Sequence, residues 1–196
     1  FEEKYNKKGG VAVGFMGDGA SEEGVVYETY NLAALYELPL LLVIENNTWS
    51  VTSNITERRG KEYDIGTIAK GFGLPYLRAD GNDYQDVATK AGELLQGIRA
   101  GKGPAVLECL TYRHMAHSTP LMDDKHGLRK EDTLERRLEH DSLKRLRQQL
   151  VASGVSEAEL AEAESKTREE VRAAIAFAKA SPYPQKEEMY TDVFYG

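Results

Sequence analysis

Cysteine is nearly absent from this 196-residue chain, where Cys109 is the only one. A disulfide and a multi-cysteine zinc site are therefore excluded within the chain, and a reducing compartment is the natural setting. Basic residues are the minority charge, 25 Lys and Arg against 32 Asp and Glu, for a net charge of -7. A general nucleic-acid binder needs a cationic face for phosphates, so that class is excluded. Long apolar runs are missing too. The longest, residues 38–44, is interrupted by Pro39 and falls far short of the ~20 residues of a membrane helix. The chain opens on Phe1 rather than Met with no basic-then-apolar leader, which gives the expectation of a start inside a longer protein. What is present is ordinary globular composition, 41% hydrophobic and 29% charged.

Four short Val/Leu-rich or β-permissive runs, 11–15, 40–45, 76–79 and 105–112, read as strands bounded by Gly, Pro or Asp. The first two are apolar on both faces, so both are expected to be buried on both sides of a parallel sheet. Helices are expected over 22–37, 64–72 and 84–100, the last stopped by Gly101-Lys102-Gly103-Pro104. This alternation predicts an α/β fold, a doubly wound, mainly parallel sheet. Residues 113–129 hold His114, His117 and His126 without periodicity, a loop long enough to be functional. Two charged amphipathic helices should follow. Leu134, Leu138, Leu143, Leu146 and Leu150 fall on or near one face. Ser156 and Glu159 then match a capping box for a helix that runs to about Ala180. The expected organisation is an α/β domain over 1–129, including the 113–129 loop. A helical extension and tail over 130–196 would pack on it or on partner subunits. The aromatics of the tail, 188–196, suit either docking or a frayed terminus.

The first chemistry-bearing motif is Gly17-Asp18-Gly19, directly after the first strand. Ligands of open α/β sheets bind beyond the carboxyl ends of strands. The two glycines allow a sharp turn and a close backbone approach, and a helix starting near Ser21 would add its N-terminal field. An aspartate facing phosphate is repulsive unless a cation stands between them, so the motif suggests a metal-bridged phosphate; an ordinary turn is an equal alternative. Asn46-Asn47 shifts that balance. It follows the second strand, with 26 residues (20 to 45) after Gly19. A strand–helix–strand unit takes about 30 residues and returns to the same sheet edge, so Asp18 and one of the asparagines can face each other. A carboxylate, an amide oxygen and a backbone carbonyl, joined by diphosphate oxygens, suit the octahedron of magnesium.

Gly17-Asp18-Gly19, the 26-residue interval and Asn46-Asn47 together resemble the thiamine-diphosphate binding motif. The residues around them, from Ala20-Ser21 through Tyr30-Asn31-Leu32-Ala33-Ala34-Leu35 to Leu38-Pro39, resemble the α subunit of the heterotetrameric 2-oxo acid dehydrogenase E1 components, those of pyruvate, branched-chain and acetoin dehydrogenases. Ala79-Asp80-Gly81-Asn82-Asp83, Leu110-Thr111-Tyr112-Arg113 and Tyr190-Thr191-Asp192-Val193-Phe194-Tyr195 match the same family, so the resemblance covers essentially the whole chain. It implies the diphosphate-binding domain of the thiamine-diphosphate fold. By the same resemblance Asp18, Asn47 and the backbone carbonyl of Trp49 are magnesium ligands. Gly17, Gly19 and Ala20 line the diphosphate, with the N–H groups of Gly19 and Ala20 meeting it. His117 is the active-site histidine beside the reacting carbon. An imidazole, with its pKa of ~6.5, can donate, accept or stabilise charge there.

The implied reaction is the oxidative decarboxylation of a 2-oxo acid, pyruvate or branched-chain, with acyl transfer to a lipoyl carrier. The implied partners are a β chain in an α2β2 assembly, which supplies the glutamate that activates the cofactor, and a lipoyl acyltransferase. No nucleic acid and no membrane partner is expected. The location would be bacterial or archaeal cytoplasm, or the mitochondrial matrix of a eukaryote. Two departures from the family are visible: Ala116 stands for a usual Gly, and Leu128 for a usual Tyr after Asp123 and Asp124 and before Arg129. Both bear on substrate choice and loop anchoring. His114 reads as a loop residue and His140 as a solvated one, and Ser118 aligns with a serine that kinases modify in mitochondrial relatives but reads here as a plain loop serine. Alternatives are another thiamine-diphosphate enzyme, acetoin-cleaving or transketolase-like, and a non-catalytic assembly subunit. The family's full α subunit is longer than 196 residues, which again suggests a piece of a longer chain.

Overall fold

The computed structural model describes residues 9–119, 138–191 and 193. It divides into two compact units, Phe1–Leu146 and Arg147–Gly196. In the first unit, β1 (Ala12–Gly17), β2 (Leu40–Asn46), β5 (Tyr76–Asp80) and β6 (Ala105–Leu110) form one sheet in the order β1-β2-β6-β5. Every pairing is parallel. The crossovers carry α1 (Gly24–Leu35), α3 (Ile65–Gly71) and α4 (Tyr84–Arg99).

The unbroken apolar text of β2 and β6 explains why they occupy the centre. Alternate side chains of a strand face opposite sides. Leu42, Ile44 and Val106 join Val26 and Tyr30 of α1 and Ile65 and Ala69 of α3 in one core cluster. Leu41, Val43, Ala105 and Leu107 join Leu94 and Ile98 of α4 in the other. Two covered faces make the sheet doubly wound, as the alternation predicts. Each fully buried Leu or Ile of this kind contributes about 1.5–3 kcal/mol. Both later helices of the unit start on aspartate caps. The Asp64 carboxylate accepts from the Thr67 N–H at 2.7 Å, and Asp83 accepts from the N–H groups of Gln85 and Asp86.

Three expectations need correcting. β1 is not buried on both faces: Val13 is 46% and Phe15 69% exposed. They pair in register with Leu41 and Val43, on the face where α4 packs over β2, β5 and β6, while β1 lies at the end of the sheet. The helix expected from residue 22 begins instead at Gly24, after a separate 3-10 turn over Ala20–Glu22. Glu23, extended at φ -68° and ψ 140°, separates the two. The last strand ends at Leu110 rather than Tyr112, although the Thr111 N–H still donates to the Asn46 carbonyl at 2.9 Å.

One stretch carries structure that the hydrophobic pattern did not announce. β3 (Trp49–Ser50) and β4 (Ser53–Asn54) form an antiparallel hairpin. It leads into a single helical turn, α2 (Ile55–Arg58), closed by a capping box between Asn54 and Glu57.

The second unit takes up the end of α5 (Ser142–Ala152) and all of α6 (Glu157–Ala180). The Ser156–Glu159 capping box expected from the sequence is formed, with reciprocal bonds of 3.2 and 2.9 Å. Arg147 pairs with Glu157 and, at 2.6 Å, with Glu164. None of the residues of α6 is buried, and Val171, Ile175 and Phe177 are exposed. Met189 and Tyr190 of the tail are exposed as well. Leu134, Phe194 and Tyr195 lie outside the described residues.

Candidate cofactor site

The strand register decides which loops meet. Gly17 pairs with Glu45, so Asp18 and Asn46-Asn47 leave the sheet from neighbouring strand ends on its carboxyl side. Asp18 is 1% exposed. Its backbone carbonyl accepts from the Ser21 hydroxyl at 2.7 Å, which tightens the turn. Its Oδ2 accepts from the Arg58 guanidinium at 2.6 Å. Arg58 also pairs with Glu22, which in turn lies 3.0 Å from Nε of Arg59. Arg59 stacks over the Tyr63 ring at 3.9 Å. Two acids thus face two guanidinium groups beside the Gly-Asp-Gly turn, an arrangement in which each buried charge has an opposite charge near it.

The second loop is held by its own amides. Asn46 Oδ1 accepts from the Thr48 N–H at 2.9 Å and Asn47 Oδ1 from the Trp49 N–H at 3.0 Å. The hairpin that follows lies on the first turn. A Cβ built on Gly19 would come 2.3 Å from the Ser50 hydroxyl oxygen. Gly19 itself has φ -64° and ψ -44°, ordinary right-handed helical values. Glycine is required there for space, not for the sharp turn expected from the sequence.

Backbone strain sits in the same hairpin. Thr48 has φ 66° and Val51 φ 53°. For a β-branched residue this is an outlier that persists only where the surroundings hold it. The Val51 carbonyl accepts from Arg113 at 2.8 Å, which ties the hairpin to the start of the histidine segment. Val51→Gly should raise stability by roughly 0.5–1 kcal/mol in denaturant unfolding, the left-handed penalty of about 1–2 kcal/mol being partly offset by the greater freedom of unfolded glycine. Equal or lower stability would show that the strain is not there.

His117 stands seven residues beyond the end of β6 (117 − 110) and is exposed. Among the described residues it makes no hydrogen bond with Asp18 or Asn47. The residues just before it are held by contacts to 140 and 141: Nδ1 of His114 lies 3.9 Å from Asp141, and Tyr112 stacks on His140 at 6.2 Å. His140 is thus an exposed side chain with an aromatic partner rather than a purely solvated one. Asp123, Asp124, His126, Leu128 and Arg129 lie outside the described residues.

A cavity of about 540 Å³ opens beside this loop, lined by Asn46, Asn47, Arg78, Asp80, Thr111 and His140. Asp80, which lines it, and Asp83 pair with Arg145 at 2.6 and 2.7 Å. Cys109 is buried, and burial pushes its thiol up to about 11, so it is not a thiolate nucleophile at neutral pH.

The donor set fits magnesium. A carboxylate has two oxygens with about four lone-pair sites, so Asp18 can hold Arg58 through Oδ2 and a cation through Oδ1. Asn47 Oδ1 likewise keeps a lone pair beyond its bond to Trp49. Among the described residues no cluster of three or more His, Cys, Asp or Glu could hold a metal by itself. One carboxylate, one amide oxygen and a carbonyl leave half an octahedron for phosphate oxygens and water, which is how magnesium is commonly shared with a phosphorylated ligand.

A parallel sheet covered by helices, with an acid and an amide at adjacent carboxyl ends, defines an α/β protein that gathers polar side chains at its strand ends. The family is given by comparison. Residues 1–187 match the model of the dehydrogenase E1 component, and the chain belongs to that family. It is 38% identical over 196 residues to the pyruvate dehydrogenase E1 component subunit alpha of Zymomonas mobilis, covering 100% of this chain and 54% of that protein. To the protein of the same name from Rhizobium meliloti it is 34% identical over 195 residues, 98% of this chain and 55% of the relative. To subunit alpha-3, chloroplastic, of Arabidopsis thaliana it is 35% identical over 185 residues, 94% and 42%. The chain therefore spans about half the length of the curated relatives it matches.

Sequence reasoning missed Glu22, Arg58 and Arg59 beside Asp18, and Glu108 behind Asn46. Glu108 carried a signal, a lone charge in the apolar run 105–110. The arginines carried none, because only the folded hairpin brings them back to residue 18.

Proposed function

We propose that this chain is the diphosphate- and magnesium-binding part of the α subunit of a thiamine-diphosphate-dependent 2-oxo acid dehydrogenase. The observation that carries the reading is the Gly17–Glu45 register with Ser50 packed on Gly19, which gathers Asp18, Asn47 and the Trp49 segment at one edge of the sheet. The names of the relatives and the family membership support it. Thiamine diphosphate, when bound, supplies the nucleophilic carbon and the electron sink for decarboxylation.

The protein's own part is to hold and orient. Asp18 and the Asn47 amide oxygen bind the cation, with the Trp49 carbonyl as the third protein oxygen. Gly17, Gly19 and Ala20 let the backbone approach the diphosphate. Arg58 neutralises Asp18 while the cation is absent and holds its carboxylate in place when the cation binds. His117, on the segment after β6, is assigned to the reacting end, where its imidazole would orient the substrate carboxylate or the acyl acceptor through a hydrogen bond. A β chain completing an α2β2 assembly and a lipoyl acyltransferase receiving the acyl group are the proposed partners. Among the described residues no helix is long and apolar enough to cross a membrane. The proposed location is the cytoplasm of a bacterium or archaeon, or the mitochondrial matrix.

The test is a panel of 2-oxo acids with an artificial electron acceptor, using the full-length protein with its cognate β chain. Turnover of pyruvate or a branched-chain 2-oxo acid that requires both thiamine diphosphate and Mg²⁺ is expected. Turnover only of acyloins or sugar phosphates would move the protein to another thiamine-diphosphate enzyme. Binding without turnover of any of these would identify an assembly subunit.

A further inference from the structure

Among the described residues Glu108 is the one buried carboxylate on a strand of the sheet. It sits on the central strand β6 between Leu107 and Cys109 and is 1% exposed. A carboxylate in that position is destabilising unless donors surround it. Three do. Asn46 Nδ2 donates to Oε1 at 2.6 Å, and Arg78 Nε and the Tyr76 hydroxyl donate to Oε2. Burial and then the Glu108 carboxylate push the Tyr76 hydroxyl well above its ordinary value, and the same carboxylate raises Arg78.

Neutralising Arg78 does not require a buried acid. Arg78 is 45% exposed at its side chain and already pairs with Asp64 at 2.7 Å. What only Glu108 does is fix Asn46. With Nδ2 turned to the carboxylate, the amide cannot flip, and its Oδ1 is left facing the Thr48 N–H. That bond closes the turn that carries Thr48 into the left-handed region and sets the direction of Asn47 and Trp49. The Asn46 carbonyl, accepting from Thr111, anchors the same residue to β6 a second time.

We propose that Glu108 is a positioning residue for the metal site, acting through Asn46 on the orientation of Asn47 and the Trp49 carbonyl. The proposal rests on the magnesium and thiamine diphosphate reading given above. A partner that orients a metal ligand without touching the metal is an ordinary feature of metal sites.

The test measures, by calorimetry on the complete assembly, the Mg²⁺ concentration at which thiamine diphosphate binding is half-maximal. Glu108→Gln keeps the shape but supplies one acceptor where three donors need two. Asn46→Ala removes the link and leaves Glu108 with Arg78 and Tyr76. Each should raise the required Mg²⁺ by about tenfold or more, the usual size of an outer-partner effect. The double variant should be no worse than the poorer single one, because both act on one path. Tyr76→Phe, which strips a donor from the other carboxylate oxygen, should lower the melting temperature while leaving the Mg²⁺ requirement within about twofold. A Mg²⁺ requirement within about twofold of wild type for Asn46→Ala, or losses that add in the double variant, would overturn the proposal. If Glu108→Gln does not assemble, Asn46→Ala against Tyr76→Phe decides. A wild-type assembly that binds no thiamine diphosphate at any Mg²⁺ concentration would remove the functional reading itself, whereas normal wild-type binding with indifferent variants removes this inference alone.

Discussion

Asp18→Ala should lower stability by about 3 kcal/mol and abolish magnesium-dependent cofactor binding, and Arg58→Met in addition should repair only the first loss. Removing one member of a buried pair leaves the other charge uncompensated, which costs about 3–5 kcal/mol, whereas replacing both by apolar groups is often neutral. Glu22 remains beside Arg58, so the lower end of that range applies. The Arg58 side chain is only 14% exposed and cannot recover its hydration by a small shift. No apolar replacement restores a hard oxygen ligand, so the double variant should unfold like wild type and still fail to bind thiamine diphosphate with Mg²⁺ in calorimetry. Magnesium-dependent binding by either variant would show that Asp18 is a structural acid and not a ligand.

Gly19→Ala tests the other half of the site, the seat of the hairpin. Its expected cost is about 1–3 kcal/mol, the usual cost of overpacking, together with weaker cofactor binding. Gly19 already has helical dihedral angles, so an alanine there meets no conformational penalty and the effect is steric. The added Cβ would lie 2.3 Å from Oγ and 2.6 Å from Cβ of Ser50, while the Ser50 Cα is at an ordinary 3.5 Å. Ser50→Gly removes both offending atoms. Gly19→Ala with Ser50→Gly should therefore regain most of the stability and the binding. A harmless Gly19→Ala, or a double variant no better than the single, would mean that the hairpin does not rest on the turn.

The sheet was readable because its strands are short apolar runs with Gly, Pro or Asp at their ends, and two of the three crossover helices start on an aspartate cap. The carboxyl-end placement of Asp18 and Asn47 was readable for the same reason, since one crossover returns the chain beside its start. Strands of two residues, as in Trp49–Asn54, leave no period to detect, and the Asp18–Arg58 pair spans 40 residues of chain. The open face of β1 was also illegible. Val13 and Phe15 read as core by composition, and only the strand order places them at the end of the sheet. The 3-10 turn over Ala20–Glu22 depends on the Ser21 hydroxyl finding the Asp18 carbonyl, a local bond that helix propensity does not encode.

The link between Asn46 and Glu108 also has a kinetic meaning. The two residues are 62 positions apart, and the neighbouring strands β2 and β6 that hold them can pair only after the β3–β4 hairpin, three intervening helices and β5 have been laid down or set aside. Contacts at such separations carry a large loop-closure cost and slow the search for the native state. The turn that presents Asn47 should therefore reach its final form late in folding, when the central strands zip together. A partly folded chain would hold no half-formed version of this site to capture cofactor early, and binding competence should appear in step with the last phase of refolding rather than ahead of it.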